Sequence, residues 1–267
     1  MVDSMATKNI VLFGETGAGK SSVVNLMVGE EKAVTSPDAQ RCTMHWEEYS
    51  MTFDGHSYKV FDTIGLEYPE LGINEYLEAI VNAHNLITKL VSEGGIDLLL
   101  FCMRAGRISG TVQKNYRLFY EWLCEKKVPI VLVVTGLERE DRMEDWWTRQ
   151  SEAFEKYQIV VDGHACITAA NKLSGREQEM YEDSRLLIRK LVREHTHDRP
   201  DRCNGSDGRK EGDGWKGGDG WFRRFIHKLR ELLQGDRSVG KKDIMNILTK
   251  RCGVPPEAAA ELVKQIK

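Results

Sequence analysis

Short apolar runs alternate with longer stretches of helical periodicity between residue 8 and about residue 197. Short apolar runs are typical of buried strands, whereas apolar residues that recur every three or four positions are typical of helices. The runs predict strands at Asn9–Phe13, Trp46–Phe53, Tyr58–Asp62, Ile96–Met103, Ile130–Thr135 and Ala165–Thr168. The periodic stretches predict helices over 20–28, 73–93, 111–126, 141–156 and 176–195. Such alternation predicts an α/β fold with a largely parallel sheet.

The pairing of the predicted strands follows from what separates them. Asp54-Gly55 lies between the second and third runs, and Asp-Gly is a strong signal for a hairpin. That pair is therefore expected to be antiparallel, whereas helices separate the other strands, which should be parallel. Asp97–Met103 and Pro129–Val134 are continuously apolar, as in central strands covered on both faces. We expect a three-layer, doubly wound domain with six strands and one antiparallel edge strand.

The composition changes abruptly after residue 197. Residues 198–220 are rich in Gly, Asp, Lys and Arg and contain few apolar side chains, which predicts a flexible linker. The linker separates a domain over 1–197 from a segment over 221–267 that is expected to be helical. Two short helices are predicted near 239–251 and 256–266, and a longer apolar stripe precedes them at positions 221, 222, 225, 226, 229, 232 and 233.

The most informative motif lies between the first predicted strand and the first predicted helix. Its spacing, G-x-x-x-x-G-K-[ST], matches a phosphate-binding loop (P-loop) in the strand–loop–helix context that the motif requires. Glycines let the backbone N–H groups point at phosphate oxygens, and the helix adds the positive end of its dipole. Lys20 is expected to reach the β- and γ-phosphates, and the Ser21 hydroxyl to bind Mg²⁺. The residues predicted to hold the nucleotide are Gly14, Glu15, Thr16, Gly17, Ala18, Gly19, Lys20, Ser21 and Ser22.

A second motif, D-x-x-G, ends the third predicted strand at residues 62–65. Asp62 is expected to hold Mg²⁺ through water, and the Gly65 N–H to sense the γ-phosphate. The loop between the two motifs should supply a threonine to the same ion. Thr43 is the first choice for that ligand, and Thr35 is the second.

Base recognition is expected after the fifth strand, at Thr135–Glu138. Guanine specificity usually depends there on Asn/Thr-Lys-x-Asp, whose carboxylate accepts hydrogen bonds from guanine N1–H and the 2-amino group. Glu138 can do this with one methylene more, and adenine, which has no donor at N1, would be rejected. Gly136 replaces the lysine whose stem covers the base, so a lower affinity is expected. Ala169 is predicted to present a backbone N–H to guanine O6.

Charge and cysteine usage limit the partners and the compartment. The formal net charge of −3 argues against a dedicated nucleic-acid binder, but residues 221–267 carry eleven Lys and Arg against five Asp and Glu. The basic, apolar stretch 221–234 is predicted to pack against the domain or the two helices after it, to bind an anionic membrane surface, or to bind another partner. The six cysteines form no C-x-x-C pair, and no signal-peptide pattern is evident. We expect a cytoplasmic protein, with peripheral membrane attachment as the alternative.

Together the three motifs resemble those of the septin-like branch of P-loop GTPases, and in particular the immunity-associated GTPases, the chloroplast-import receptor GTPases and the septins. The resemblance covers roughly residues 8 to 195 and implies a G domain that binds GTP or GDP with Mg²⁺. Leu66 follows the D-x-x-G motif, where Ras-like enzymes have a water-orienting Gln. Members of this branch also lack that Gln, and they often hydrolyse GTP slowly or dimerise across the nucleotide face.

The predicted function is a GTP-binding switch with slow, Mg²⁺-dependent hydrolysis that depends on Lys20, Thr43 and Gly65. Arg41 is either a solvated loop residue or an internal arginine finger. One alternative is a nucleotide-triggered scaffold for assembly or membrane attachment, in which hydrolysis is incidental. Another is an ATPase of similar fold.

Overall fold

A computed structural model of the chain describes residues 7–29, 46–63, 73–170 and 175–196, together with six isolated helical positions beyond 241. The strands are β1 (Lys8–Gly14), β2 (Glu47–Phe53), β3 (His56–Asp62), β4 (Leu98–Arg104), β5 (Ile130–Thr135) and β6 (Gly163–Cys166). They form one sheet in the order β2-β3-β1-β4-β5-β6. β2 runs antiparallel to β3, and every other neighbouring pair is parallel. The predicted fold class is confirmed.

Helices cover both faces of this sheet. They are α1 (Lys20–Val28), α2 (Ile73–Ser92), α3 (Gly110–Tyr116), α4 (Glu144–Lys156) and α5 (Arg176–His195). One face packs against α1 and α5, and the other packs against α2, α3 and α4. The side chains of β5 are buried throughout, and those of β4 are buried as far as Met103. Continuous apolar runs therefore predicted the central strands correctly, because these strands have no face in water.

Several element boundaries differ by one to three residues from those predicted, and two further differences have a physical cause. The helix expected over 111–126 is α-helical only to Tyr116 and continues as a π-helix over Arg117–Leu123. Apolar periodicity does not distinguish an α-helix from a π-helical continuation, in which each turn contains one extra residue. β6 begins at Gly163, two residues before the predicted Ala165, because Gly163 is already in register with Val131 of β5.

Several predictions fall outside the described residues. These include the loop threonines Thr35 and Thr43, the loop residue Arg41, Gly65 of the D-x-x-G motif, the linker 198–220 and the stretch 221–234. In the predicted helix near 239–251, Lys242, Met245, Asn246 and Thr249 are helical. The Met245 side chain packs against the core on the α2, α3 and α4 face of the sheet. Among the described residues, no helix combines the length and apolar content required to cross a membrane.

Candidate functional site

The P-loop follows β1 at the carboxyl edge of the sheet, where nucleotides bind in folds of this type. Gly14 touches the neighbouring strand so closely that a Cβ there would lie 2.0 Å from the Cys102 carbonyl oxygen. Gly17 and Gly19 have φ angles of 73° and 82°, which favour glycine. The motif's three glycines therefore let the chain leave β1, turn back and begin α1.

Lys20 is the first residue of α1, and its side chain is buried. Its ammonium group donates hydrogen bonds to the carbonyl oxygens of Gly14 at 3.3 Å and Glu15 at 2.9 Å. The ammonium group therefore lies within the curl of the loop. A phosphate oxygen that enters the loop would find this donor already positioned.

Ser21 and Asp62 meet next to the P-loop, because β1 and β3 are neighbouring parallel strands. The Ser21 hydroxyl donates to Asp62 Oδ2 at 2.8 Å. Asp62 Oδ1 is buried and accepts no hydrogen bond from any residue that the structure describes. Burial raises the pKa of the Asp62 carboxyl, whereas Lys20 and the Ser21 hydroxyl act in the opposite direction. An all-oxygen site with a spare carboxylate oxygen fits a hard cation such as Mg²⁺.

Thr135 ends β5 and contacts the P-loop directly. Its hydroxyl donates to the Ala18 carbonyl oxygen at 2.9 Å, and a Cβ on Gly19 would lie 3.2 Å from the same hydroxyl oxygen. The sequence places Thr135 in the base motif. In the structure it also joins the P-loop to the loop over 136–143, which is predicted to bind the base and is called the base loop below.

Glu138 lies two residues after Gly136 in the base loop and is half-buried. It makes no hydrogen bond or ion pair with a described residue. Two later acids of the same loop are engaged, since Glu140 pairs with Arg149 at 2.6 Å and Asp141 with Arg176 at 3.6 Å. Glu138 is therefore the acid of this loop whose carboxylate remains available to a ligand.

The last predicted base contact, Ala169, follows β6 and is buried. The preceding residue, Thr168, is fully buried, and its backbone N–H donates to the Ser184 hydroxyl of α5 at 3.1 Å. This hydrogen bond fixes the backbone immediately before Ala169. The structure therefore brings the ends of β1, β3, β5 and β6 to one edge of the sheet, although they are far apart in the sequence.

Other predicted nucleotide contacts take different positions on the loop. Glu15 and Ser22 are half-buried, and Thr16 is exposed at the tip of the turn. Sequence reasoning missed the contact that holds Glu15. The Ser109 hydroxyl donates to Glu15 Oε1 at 2.5 Å and also caps α3 by accepting from the Val112 N–H at 3.0 Å. A serine just before a helical pattern is a recognisable capping signal, but its partner across the sheet is not.

Comparison with known proteins agrees with this geometry. Residues 9–136 match a family model described as the 50S ribosome-binding GTPase. The immune-associated nucleotide-binding protein 7 of Arabidopsis thaliana is 27% identical over 191 residues, which are 69% of this chain and 60% of that protein. The tRNA modification GTPase MnmE of Treponema denticola is 30% identical over 133 residues, which are 47% of this chain and 25% of that protein. The chain thus spans a quarter to three fifths of these two relatives.

Solved structures share the fold at lower identity. A dimerization-deficient mutant of Toc33 from Arabidopsis thaliana superposes with a TM-score of 0.53 and 19% identity, over 73% of this chain and 86% of that one. Era in complex with MgGDPNP and a fragment of 16S ribosomal RNA superposes with a TM-score of 0.52 and 16% identity, over 73% and 59%. The match to GTPases of the immune-associated and Toc33 kinds confirms the predicted resemblance. The described residues therefore have the G-domain fold of P-loop GTPases, and residues 9–136 match a GTPase family model.

Proposed function

We propose that this chain binds GTP with Mg²⁺, hydrolyses it slowly and acts as a nucleotide switch. The arrangement of Lys20, Ser21 and Asp62 carries this proposal. The buried ammonium group of Lys20, the buried carboxylate of Asp62 and the half-buried hydroxyl of Ser21 lie at the carboxyl edge of the sheet. Burying the Asp62 Oδ1 atom without a hydrogen-bond donor costs stability, and a bound cation would offset that cost.

Each predicted site residue has a distinct role in this proposal. The backbone N–H groups between Gly14 and Ser22 hold the phosphates, and Lys20 neutralises charge on the β- and γ-phosphates. Ser21 and Asp62 hold Mg²⁺, together with Thr43 from the preceding loop. Bound Mg²⁺ would neutralise the charge that develops on the phosphate oxygens. Gly65 would bind the γ-phosphate through its N–H. Loss of that phosphate would then release the segment around the D-x-x-G motif.

Hydrolysis is proposed to be slow because the D-x-x-G motif is not followed by the Gln that orients the attacking water in Ras-like enzymes. Leu66 stands after the D-x-x-G motif, and an aliphatic side chain cannot hold water by hydrogen bonds. Catalysis would then rest on positioning and on charge stabilisation by Lys20 and the P-loop amides. A nucleotide that is cleaved slowly persists long enough to act as a signal.

The proposed base is guanine. Glu138 would accept from N1–H and the 2-amino group, Ala169 would donate to O6, and Thr135 holds the loop against Ala18. The test is competition between GTP and ATP for a fluorescent GDP on the full chain with Mg²⁺, with Lys20→Ala as the blank. We expect GTP to compete far better than ATP. Equal competition would refute the assignment of Glu138.

A second candidate function is nucleotide-dependent assembly, in which two copies meet across the nucleotide face. One solved neighbour with a TM-score of 0.52 and 20% identity is described by the statement that dimerization is important for the GTPase activity of atToc33 and psToc159. The test is the specific activity of the full chain against its own concentration, with sedimentation in GDP and in GTP. Fast turnover that is independent of concentration would refute both slow hydrolysis and assembly.

The stretch 221–234 is proposed to attach the protein to an anionic membrane surface. Its apolar stripe and the +6 charge of 221–267 support this assignment. The test is co-sedimentation of the full chain with vesicles that contain phosphatidylserine, compared with neutral vesicles. If equal amounts of protein pellet with the two kinds of vesicle, membrane attachment is refuted and the stretch 221–234 would instead pack against the G domain.

A further inference from the structure

Gly136 lacks the side chain that covers the base in the usual motif, but the space above it is filled. A Cβ on Gly136 would lie 3.2 Å from Cγ, 3.3 Å from Nε and 3.7 Å from Cζ of Arg104. The Arg104 side chain therefore lies along Gly136, from its stem to its guanidinium. The Arg104 side chain occupies the space that a side chain at position 136 would fill.

Arg104 reaches this place from the neighbouring strand. It is the last residue of β4, in register with Thr135 of β5, and the next N–H, that of Ala105, donates to the Thr135 carbonyl oxygen at 2.8 Å. Thr135 in turn holds Ala18 of the P-loop. The Arg104 side chain is thus positioned by the sheet itself at the junction of the base loop and the phosphate loop.

The guanidinium of Arg104 is available to a ligand. Arg104 is exposed, and within the part of the chain that the structure describes it forms no ion pair or hydrogen bond through its side chain. Two arginines near the same edge are engaged, Arg149 with Glu140 and Arg176 with Asp141. An arginine that is held in place by packing but unpaired in charge is suited to bind something that enters from solvent.

We infer that Arg104 covers the face of the nucleotide base, in place of the absent lysine stem, an inference that rests on the proposed function. A planar guanidinium stacks on aromatic rings through cation–π and dispersion contacts. Gly136 suits this arrangement, because a Cβ at position 136 would force the Arg104 side chain to shift. Gly136 is expected to lower the affinity for the base, and the Arg104 side chain, which comes from the adjacent strand β4, offsets that loss.

Substitution of Arg104 tests the inference directly. We expect Arg104→Ala to weaken binding of a fluorescent GDP by about three- to thirtyfold, the range for a partly desolvated cation–π contact. A nonhydrolysable GTP analogue should lose the same factor, because the contact is to the base. The matched control is Arg142→Ala, a surface arginine whose side chain is 80% exposed. Unchanged affinity would overturn the inference, and so would a loss confined to the GTP analogue, which would indicate a phosphate contact.

A double-mutant cycle with Gly136 provides a second, independent measurement. The added methyl of Gly136→Ala would press on the Arg104 side chain, so the loss of GDP binding should be larger in the wild-type background than in Arg104→Ala. Backbone strain at the φ of 79° is the same in both backgrounds and cancels in the cycle. Additive losses from the two substitutions would overturn the inference.

A failure of the proposed nucleotide binding can be distinguished from a failure of the proposed Arg104 contact. If the wild-type chain binds no fluorescent GDP, the proposed function is wrong. If the wild type binds GDP and Arg104→Ala binds it equally well, only the role of Arg104 is wrong. The preference for GDP over ADP should stay unchanged in Arg104→Ala, because stacking on the base face does not distinguish purines. A changed preference would contradict a contact to the face.

Discussion

The phosphate end of the site is built by short-range contacts around one loop, whereas the base end is assembled from three strands that are distant in sequence. At the phosphate end, Lys20 bonds to carbonyl groups five and six residues away, and Ser21 needs only Asp62 from the adjacent strand. At the base end, residues after β4, β5 and β6 must converge, and a side chain from β4 lies over a glycine that follows β5. The first end depends on a motif, and the second depends on the packing of the sheet.

This difference predicts different responses to mutation. A change at the phosphate end should affect every nucleoside triphosphate alike, because phosphates are common to all of them. A change at the base end should alter the preference for one base over another or the affinity for purine nucleotides. Thr135 joins the two ends and should affect both, but weakly.

The largest expected effect follows from Lys20→Ala. Removing the ammonium group leaves the phosphates without charge-assisted hydrogen bonds, so affinity for GTP and ATP should fall together by about a hundredfold. Fluorescence titration with labelled GDP and competition by both triphosphates measures this. Lys59→Ala is the control, since Lys59 is an exposed lysine of β3 that pairs with Glu48. An unequal loss for GTP and ATP would show that Lys20 also acts on the base.

The next largest effect is expected from Glu138→Gln. A neutral amide keeps the shape but accepts more weakly from guanine, so the preference for GTP over ATP should fall by about ten- to fiftyfold. ATP binding itself should hardly change. The control is Asp141→Asn, because the Asp141 side chain is 98% exposed. If the preference survives in Glu138→Gln, another group reads the base.

Asp62→Asn should separate stability from function. The Mg²⁺-dependent gain in GTP affinity should drop by about tenfold, because the charged carboxylate that would hold Mg²⁺ through water is lost. The nucleotide-free protein should melt at a higher temperature near pH 7, because burial raises the pKa of Asp62 and the ionised carboxylate is therefore costly in the folded state.

The pH dependence of this gain in melting temperature tests whether folding raises or lowers the pKa of the Asp62 carboxyl. A carboxyl whose folded pKa is raised reduces stability once the pH is above its unfolded value, and the reduction disappears in acid, where both states are protonated. The melting difference between Asp62→Asn and wild type should therefore shrink toward zero as the pH falls below about 4. A difference that grows in acid would mean that the carboxylate is stabilised in the folded protein.

The smallest effect is expected from Thr135→Val. The substitution removes the hydrogen bond to the Ala18 carbonyl at constant shape and should cost about 1 kcal/mol of unfolding free energy. Affinity for GTP and ATP should fall equally, by a few-fold. Thr135→Ser, which retains the hydroxyl, should restore both. Denaturant unfolding and nucleotide titration measure the two effects, and a change in base preference would argue for direct base contact by Thr135.

The fold was largely predictable because each type of element has its own periodicity. The Asp54-Gly55 turn identified the antiparallel pair, and the unbroken apolar runs identified β4 and β5 as central. The π-helical turn after Tyr116 and the early start of β6 were not predictable. Both depend on how side chains and backbones meet between elements, which a single segment does not encode.

For the site, the sequence determined the chemical groups and their order along the chain. The P-loop motif, Asp62 and Glu138 were predicted from the donors and acceptors that a phosphate, a cation and a guanine require at particular spacings, and the role of Glu138 stays a prediction. Only the tertiary structure decided which groups share a contact. It joined Thr135 to Ala18 and Ser109 to Glu15, and it laid Arg104 over Gly136. Such pairs arise because parallel strands bring their carboxyl ends to one edge of the sheet, however many residues separate them.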